Sequence, residues 1–438
     1  MKKFFTTIRN IFSIEDLRIR ILNTIGFLVI FRLGSFVVLP GVDPNQLTDS
    51  SGIFGLLNTF SGGAFDRVSV FGLGIMPYIS ASIVVQLLTV AVPYFQKLQK
   101  DGESGRNKIN QITRVLTILI TLVQGAAYVS TVANDALLPG VDRAFFTISS
   151  VIILTAGTIF CMWLGEKITD KGIGNGISML IMIGIISRFP GSIVAEALAR
   201  GMSGALLFVL EIVALFFVVM GVVMLTQAIR RIPVQYAKQV VGNKVYGGQR
   251  QYIPLKVNAS GVMPIIFAQS LMFLPAMLSG FWQDTSDTAA SIGATFSDFT
   301  TWQYNLVFGI LIILFTFFYT AITVNPNQIS DDMKRNGGFI PGVKPGKQTS
   351  EYIDNILTKI TLPGSLFLAI VAILPAIAYL AGVSREFSQF YGGTSLLIMV
   401  GVILDTLQQI ESYLLMRHYE GMMKSGRVKG RSENVAVA

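Results

Sequence analysis

The sequence predicts an all-α membrane protein with ten transmembrane helices, and three observations support this fold class. Of its 438 residues, 52% are hydrophobic and only 13% are charged, whereas a soluble domain carries roughly 25% charged residues. Apolar runs recur along the chain, close to the ~20 residues that a helix needs to cross the hydrocarbon core. Because lipid offers no partners for backbone N–H and C=O groups, such runs must be helical.

The ten runs follow one another in chain order, and the fifth is the shortest. We place them at Ile19–Leu39, Leu73–Val92, Ile112–Ala133, Ile148–Leu164, Ile177–Phe189, Ala205–Leu225, Val257–Ser279, Tyr304–Val324, Ile360–Leu380 and Thr394–Met416.

The N-terminal residues Met1–Asn10 are basic, but no short apolar region with a small-residue cleavage site follows them. The first apolar run is therefore predicted to be retained as a helix. Cys161 is the only cysteine and His418 the only histidine. This excludes a disulfide framework and a metal site built from several cysteines or histidines, and we predict no cofactor.

Lysine and arginine are distributed unevenly between the two sides of the membrane. With a cytoplasmic N-terminus, 28 of the 34 fall in cytoplasmic segments, five fall outside, and Arg32 lies in the first span. Positive residues stay on the cytoplasmic side, so both termini are predicted to be cytoplasmic. The net charge of +9 leaves two interpretations open: attraction to anionic lipid, or docking of an acidic or RNA-containing partner. Charge alone favours the first.

The outer segment Gly52–Val70 contains an apolar stretch, Ile53–Phe60, that is too short to span. The glycines of Ser61-Gly62-Gly63 predict a flexible joint after it. Two structures remain open for this stretch: a half-helix that folds back into a cavity, or a helix lying in the membrane interface.

Two long cytoplasmic loops, Gln227–Lys256 and Asn325–Lys359, carry glycines and prolines at spacings that demand tight turns. Loops of this length without a role are uncommon in compact proteins. Their basic residues at projecting tips favour recognition over packing. Within the spans, Arg32, Glu211 and Asp405 are costly in lipid and are functional candidates by default. No pairing among these three follows from the sequence, and nothing in it explains Glu211.

Short motifs over nearly the whole chain, in a fixed order, resemble one family. They are Phe60–Ala64, Gly74–Ile83, Glu103–Arg106, Trp163–Glu166, Gly172–Ser178, Pro254–Asn258, Asn325-Pro326, Pro341–Gly346 and Gly392–Ile398. In this combination the chain resembles the SecY/Sec61-alpha family of protein-translocase channel subunits.

The resemblance implies two pseudo-symmetric five-helix halves, residues 19–203 and 204–416, related by a two-fold axis in the membrane plane. A cytoplasmic N-terminus, 1–18, and a cytoplasmic tail, 417–438, complete the chain. It also implies an hourglass channel for unfolded polypeptides, with a lateral exit to lipid between the second, third, seventh and eighth spans.

The resemblance further implies an apolar waist, which would exclude hydrated ions without preferring any peptide sequence. Carried over residue by residue, the waist consists of Ile75, Ile79, Ile177, Ile181, Ile266 and Ile398. The two i, i+4 pairs place both members on one helical face, as a ring requires. The alternative is that these isoleucines contact lipid or a neighbouring helix.

A plug, residues 53–64, would rest against the waist from outside. Its proposed members are Ile53, Leu56, Leu57, Phe60, Gly62 and Gly63. The lateral gate would be lined by Ser80, Gln86, Gln124, Asn258 and Leu274. Hydrogen bonds between helices, averaging about 0.6 kcal/mol, could latch such a gate; ordinary helix adhesion is the alternative.

The cytoplasmic loops would bind the motor and the ribosome through Arg230, Arg231, Lys244 and Lys344. The family pattern leads us to expect arginine where this chain has Lys344, which keeps the charge but loses the planar fork. Implied partners are the small membrane subunits SecE and SecG, the motor ATPase SecA, the ribosome, unfolded preproteins with their signal peptides, and membrane lipids. The implied location is the bacterial inner membrane.

Two other functions fit these residues less well. An inverted-repeat secondary transporter should place a polar or charged cluster at mid-depth, which an isoleucine waist does not provide. A membrane hydrolase needs an activated nucleophile or a metal, and Cys161 and His418 have no evident partnership. We therefore predict no enzymatic activity.

Overall fold

The computed structural model describes residues 12–43, 61–201, 204–236, 239–241, 244–246, 250–269, 271–272, 295 and 298–424. Its helices in the first half of the chain are α1 (Glu15–Gly34), α2 (Met76–Ala91), α3 (Pro93–Lys100), α4 (Gly102–Asp135), α5 (Arg143–Lys171) and α6 (Gly176–Arg200). The second half contains α7 (Ala205–Gln227), helical turns within 263–272, α8 (Trp302–Thr323), α9 (Pro326–Arg335), α10 (Lys347–Leu380), α11 (Arg385–Ser388), a 3-10 turn at Gln389–Tyr391, and α12 (Gly393–Lys424).

Within the described ranges, seven helices are long and apolar enough to cross a membrane. An eighth is added when α2 and α3, which meet at a 101° bend, are counted as one span. Helix α1 overlaps the first predicted span but begins four residues earlier and ends five residues earlier, and the helical residues 263–269 and 271–272 lie within the seventh. The rest of that span after residue 272 lies outside the described residues.

The fifth span is longer than its apolar run indicated. We predicted Ile177–Phe189, but α6 continues through Pro190 to Arg200 and has 25 residues. The apolar pattern stops at Arg188, whereas the helix continues, and its C-terminal end is held by polar contacts of Glu196 and Arg200. The apolar run therefore underestimated the helix by three turns.

Three helices begin at a side-chain cap that satisfies an unpaired backbone N–H. The Asp142 carboxylate accepts from Phe145 N in α5, at 3.4 Å. The Asn175 side chain accepts from Ser178 N in α6, at 3.3 Å. The Asn325 side chain accepts from Asn327 N in α9, at 3.1 Å.

Helices α5 and α6 cross at two glycines. A Cβ atom on Gly176 would lie 1.9 Å from the carbonyl oxygen of Gly165, and one on Gly165 would lie 2.8 Å from Ile177 Cγ1. Small residues let membrane helices approach this closely. The crossing therefore fixes where α6 starts and where its first isoleucine lies.

The two loops predicted to be cytoplasmic form a small β-structure, whereas the sequence had predicted only turns there. Strand β1 (Ile229–Tyr236) lies between β4 (Arg250–Lys256) and β5 (Gly338–Phe339), while β2 (Gln239–Val241) and β3 (Lys244–Tyr246) form a hairpin. All the pairings are antiparallel.

This sheet joins loops that lie about a hundred residues apart in sequence. Its buried residues Ile232, Val234 and Leu255 pack against Met333 of α9 and Leu357 of α10. Helix α10 starts 13 residues before the predicted ninth span and extends into this cluster. The two loops therefore form one unit at the start of α10.

Candidate functional site

A narrow cavity lies where α1, α2 and α6 converge. Its lining residues are Phe31, Ser61, Leu73, Gly74, Ile75, Met76, Ile79, Leu180 and Ile181. The lining is almost entirely aliphatic or aromatic. Its side-chain hydroxyl, that of Ser61, accepts a hydrogen bond from Phe65 N at 3.2 Å.

Three of the six predicted waist isoleucines, Ile75, Ile79 and Ile181, line this cavity. The other three belong to the apolar core that adjoins it: Ile398 is buried there, and Ile177 and Ile266 are half-buried. None of the six residues is exposed. Ile75, Ile181 and Ile398 are therefore buried in protein, and the role of the six as a ring stays a prediction.

Most of these isoleucines lie at or near the start of a helix. Helix α2 starts at Met76 with Pro77 in its first turn, α6 starts at the Asn175 cap, and α12 starts at Gly393. The loops that precede α6 and α12, around Gly174 and Gly392, are themselves buried in protein. Irregular backbone at membrane depth is tolerated only under that condition.

An aliphatic constriction of this kind can hold back ions and still deform around a peptide. A narrow apolar pore loses its water easily, and ions cannot enter without their hydration. Aliphatic side chains also form no hydrogen bonds that would select one peptide sequence over another.

Four of the predicted plug residues, Ile53, Leu56, Leu57 and Phe60, lie outside the described residues. Gly62 and Gly63 are described, with left-handed φ angles of +66° and +83°. A Cβ atom on Gly62 would lie 2.8 Å from both Arg32 Nη1 and Ser187 Oγ, and 3.0 Å from Gly184 Cα. Glycine is thus required here both by backbone conformation and by space.

Arginine side chains hold the backbone of this glycine pair. Arg32 Nη1 donates to the carbonyl oxygen of Gly62 at 2.9 Å. Arg67 Nη2 donates to the same oxygen at 2.8 Å, and Arg67 Nε donates to Gly63 O at 2.9 Å. The sequence singled out Arg32 as a costly intramembrane charge; its described acceptor lies 30 residues further along the chain.

The predicted gate residues have local hydrogen bonds. Gln86 Nε2 donates to Ser82 Oγ at 3.4 Å within α2, and Ser260 Oγ donates to Asn258 Oδ1 at 3.2 Å. Ser80, Gln86 and Gln124 are half-buried and Asn258 is buried, while Leu274 lies outside the described residues. These hydrogen bonds do not join the helices across the gate, so the polar latch stays a prediction.

Arg230 and Arg231 are exposed on β1, opposite Leu255 and Pro254 of β4. Lys244 lies in β3. Lys344 is exposed in a turn, and its carbonyl oxygen accepts from Thr349 Oγ1 at 2.9 Å. The alternation of buried Ile232 and Val234 with exposed neighbours is the signal that could have revealed β1.

An ion cluster at the outer end of α6 explains Glu211, which the sequence could not. Arg200 Nη2 donates to Glu211 Oε1, and Arg200 Nε to Glu196 Oε1 at 3.0 Å. Arg200 Nη2 also donates to Gly382 O at 2.6 Å, and Ser384 N donates to Glu196 Oε2 at 2.9 Å. Glu196 and Glu211 are buried, at 1% and 8% exposure. The cluster thus joins α6 to α7 and to the loop after α10.

The comparisons with known proteins agree with one another. A family model described as SecY matches residues 69–407 of this chain. The protein translocase subunit SecY of Streptomyces coelicolor is 44% identical over 436 residues, which cover 96% of this chain and 100% of that protein.

Solved structures show the same fold. A structure of a protein-conducting channel superposes with a TM-score of 0.63 at 16% identity, covering 90% of this chain and 92% of that chain. Sec61 in the canine ribosome–channel complex from the endoplasmic reticulum gives a TM-score of 0.59 at 16% identity, with the same coverages. The predicted fold class, a multi-pass helical membrane protein of this architecture, is confirmed by this likeness.

Proposed function

The chain belongs to the SecY family, and on that premise we propose that it is the central pore-forming subunit of a protein translocon. It conducts unfolded polypeptides across the membrane and releases transmembrane segments sideways into lipid. The observation that carries the proposal is an apolar cavity lined by Ile75, Ile79 and Ile181, beside an apolar core to which Ile177, Ile266 and Ile398 belong. Transport is its role, and the energy comes from its partners.

The isoleucines act as a deformable seal. When the channel is idle, their side chains close the cavity at the start of α2 and α6. When a chain enters, the aliphatic side chains yield by changing rotamer, which costs little compared with breaking polar contacts. The segment 53–64 closes the outer side of the seal, with Ser61 already in the cavity wall.

Lateral release takes place along α2 and α4 on one side and the seventh and eighth spans on the other, between the halves 19–203 and 204–416. Half-buried amides such as Gln86 and Gln124 suit a seam that must separate without exposing charge. An arriving apolar segment replaces contacts between helices by contacts of similar strength with itself.

The cytoplasmic sheet is the docking unit for the driving partners. Arg230, Arg231 and Lys344 are exposed, and they belong to two loops that the β1–β5 pairing joins. The canine relative is seen with a ribosome, and a basic, exposed surface suits ribosomal RNA. The motor ATPase SecA uses the same unit, and SecE and SecG pack on the lipid-facing helices.

The chain resides in the bacterial inner membrane with both termini in the cytoplasm. The excess of lysine and arginine on that side supports this orientation. A secondary transporter is disfavoured because the described cavity lining offers no charged group for a coupling ion.

Reconstitution in vesicles tests the proposal directly. The channel with its small subunits is supplied with motor, ATP and an unfolded precursor, and protection of the precursor from protease is scored. We expect protection that requires both ATP and the channel. Vesicles that transport a small solute but never protect the precursor would overturn the proposal in favour of the transporter.

A further inference from the structure

Two guanidinium groups from different elements converge on one peptide carbonyl. Arg32 belongs to α1 and Arg67 to the segment before α2, and both donate to Gly62 O, at 2.9 and 2.8 Å. Arg67 also holds Gly63 O at 2.9 Å through Nε. The two Cζ atoms lie 5.0 and 4.3 Å from the ring centroid of Phe36. We call Arg32, Arg67 and Phe36 the hinge clamp.

The clamp brings two positive charges close together, and their mutual repulsion must be offset. The pKa of Arg67 is lowered mainly by burial and secondly by the neighbouring charge of Arg188, while the charge of Asp66 raises it. Arginine stays protonated despite such shifts, so the repulsion remains. It is offset by charge-assisted hydrogen bonds to the carbonyls and by the face of the Phe36 ring. Such an arrangement holds only while the carbonyl of Gly62 stays between the two arginines.

The other side of the hinge is closed by α6. Gly62 approaches Gly184 and Ser187 so closely that a Cβ atom would not fit. Ser61, one residue earlier, lines the cavity together with Ile75 and Ile181. The clamp therefore positions the segment that forms part of the cavity wall.

We propose that Arg32 and Arg67 are positioning residues that lock the Ser61–Gly63 hinge against α6, and that the pore opens only when Gly62 O leaves them. This inference rests on the proposed channel function. It assigns a role to Arg32 that helix packing alone does not provide, because the acceptor it holds is in the hinge and not in a neighbouring helix.

The geometry predicts a difference between the two arginines. Arg32 uses one N–H group on one carbonyl, so the ammonium of Arg32→Lys can replace it. Arg67 uses two N–H groups on two carbonyls, which a lysine cannot match. Arg67→Lys therefore loosens the hinge although it conserves the charge. Arg188→Gln is the matched control, since it removes a nearby charge and Arg188 makes none of the hydrogen bonds described for the hinge.

The experiment uses the reconstituted channel with Cys161→Ser and Ser61→Cys, so that one thiol reports on the hinge. Position 61 is buried, at 4% exposure. We expect Arg67→Lys to raise its rate of modification by an impermeant maleimide about tenfold, equivalent to ~1.4 kcal/mol. Ion leakage from idle vesicles should rise with it. Arg32→Lys and Arg188→Gln should stay within about twofold of the parent.

Equal rates in Arg67→Lys and the parent, or an equal rise in Arg188→Gln, would overturn the clamp. If Arg67→Lys fails to fold, Phe36→Leu decides, because it keeps both charges: a rise supports the clamp and no rise refutes it. Precursor protection is measured in the same vesicles. A parent channel that protects no precursor refutes the channel function instead, whatever the thiol does.

Discussion

Replacing Arg200 by methionine removes the cation that two buried carboxylates share. Glu196 and Glu211 are 1% and 8% exposed, and each accepts a hydrogen bond from Arg200. Removing one partner of a buried ion pair typically costs ~3–5 kcal/mol, because the remaining charge stays uncompensated. Here two carboxylates lose the same cation, so we expect a loss in the upper part of that range.

The matched control is the exposed pair between Arg114 and Glu166. Arg114 Nε and Nη2 both donate to Glu166 Oε1, at 3.0 and 2.7 Å, yet the side chains are 48% and 36% exposed. Pairs of this exposure contribute at most about 1 kcal/mol. Arg114→Met should therefore change the free energy of unfolding by less than 1 kcal/mol.

The assay is unfolding in mixed micelles of increasing denaturing-detergent content, followed by circular dichroism. A third variant combines Arg200→Met with Glu196→Gln and Glu211→Gln, and should recover about half of the loss because no charge stays buried. If Arg200→Met is no more destabilising than Arg114→Met, the cluster does not join α6 to α7 as we describe.

Three other changes test separate parts of the structure. Gly176→Ala places a methyl 1.9 Å from Gly165 O, so we expect the free energy of unfolding in the same assay to fall by ~2 kcal/mol or more. The control Gly191→Ala on α6, with no atom within 4 Å, should change it by no more than about 1 kcal/mol, and equal effects would contradict the tight crossing. Ile79→Asn, which adds a polar group at the cavity wall, should raise ion leakage of idle vesicles several-fold. The control Ile152→Asn, at a 62% exposed position, should not raise it, and equal leakage from the two variants would show that Ile79 is not part of the seal. A disulfide between Ser80→Cys and Leu274→Cys, in a Cys161→Ser background, should block export reversibly, and full export with the cross-link complete would refute the gate seam.

The helices that the sequence predicted are those whose evidence is local. An apolar run of membrane length predicts a helix without information from the rest of the chain. Helix α7, for example, coincides with its predicted span within two residues at either end. Where a helix leaves the membrane this signal ends. Helices α4, α10 and α12 therefore extend beyond their predicted spans, and α6 continues past Pro190 to Arg200.

The features that the sequence missed are held by distant partners. The pairing of Gln235 with Phe339 joins residues more than a hundred positions apart. The first loop alone contains the paired strands β1 and β4, but nothing in its sequence indicates that β5 of the second loop joins them. Glu211 was unexplained because its partner Arg200 precedes it on another helix. Arg32 lies in an apolar run, and only the fold brings Gly62 to it.

The six waist residues were predicted from the resemblance to the family and not from the apolar pattern of the sequence. An isoleucine in a membrane helix usually contacts lipid, so the pattern alone does not distinguish a waist residue. The structure supplies what the pattern lacked: Ile75, Ile181 and Ile398 are 5–7% exposed, and Ile152 in α5 is 62% exposed. The burial difference separates seal candidates from lipid-facing isoleucines of identical chemistry.

The proposed function requires a moving polypeptide to pass among the six isoleucines of the waist. The most direct measurement places a photoreactive residue at each of the six positions, and at Ile152 as a control, and stalls a precursor in the reconstituted channel. We predict cross-links from all six positions to the stalled chain and none from position 152. Cross-links that fail at most of the six, or that are as strong at 152, would contradict the account.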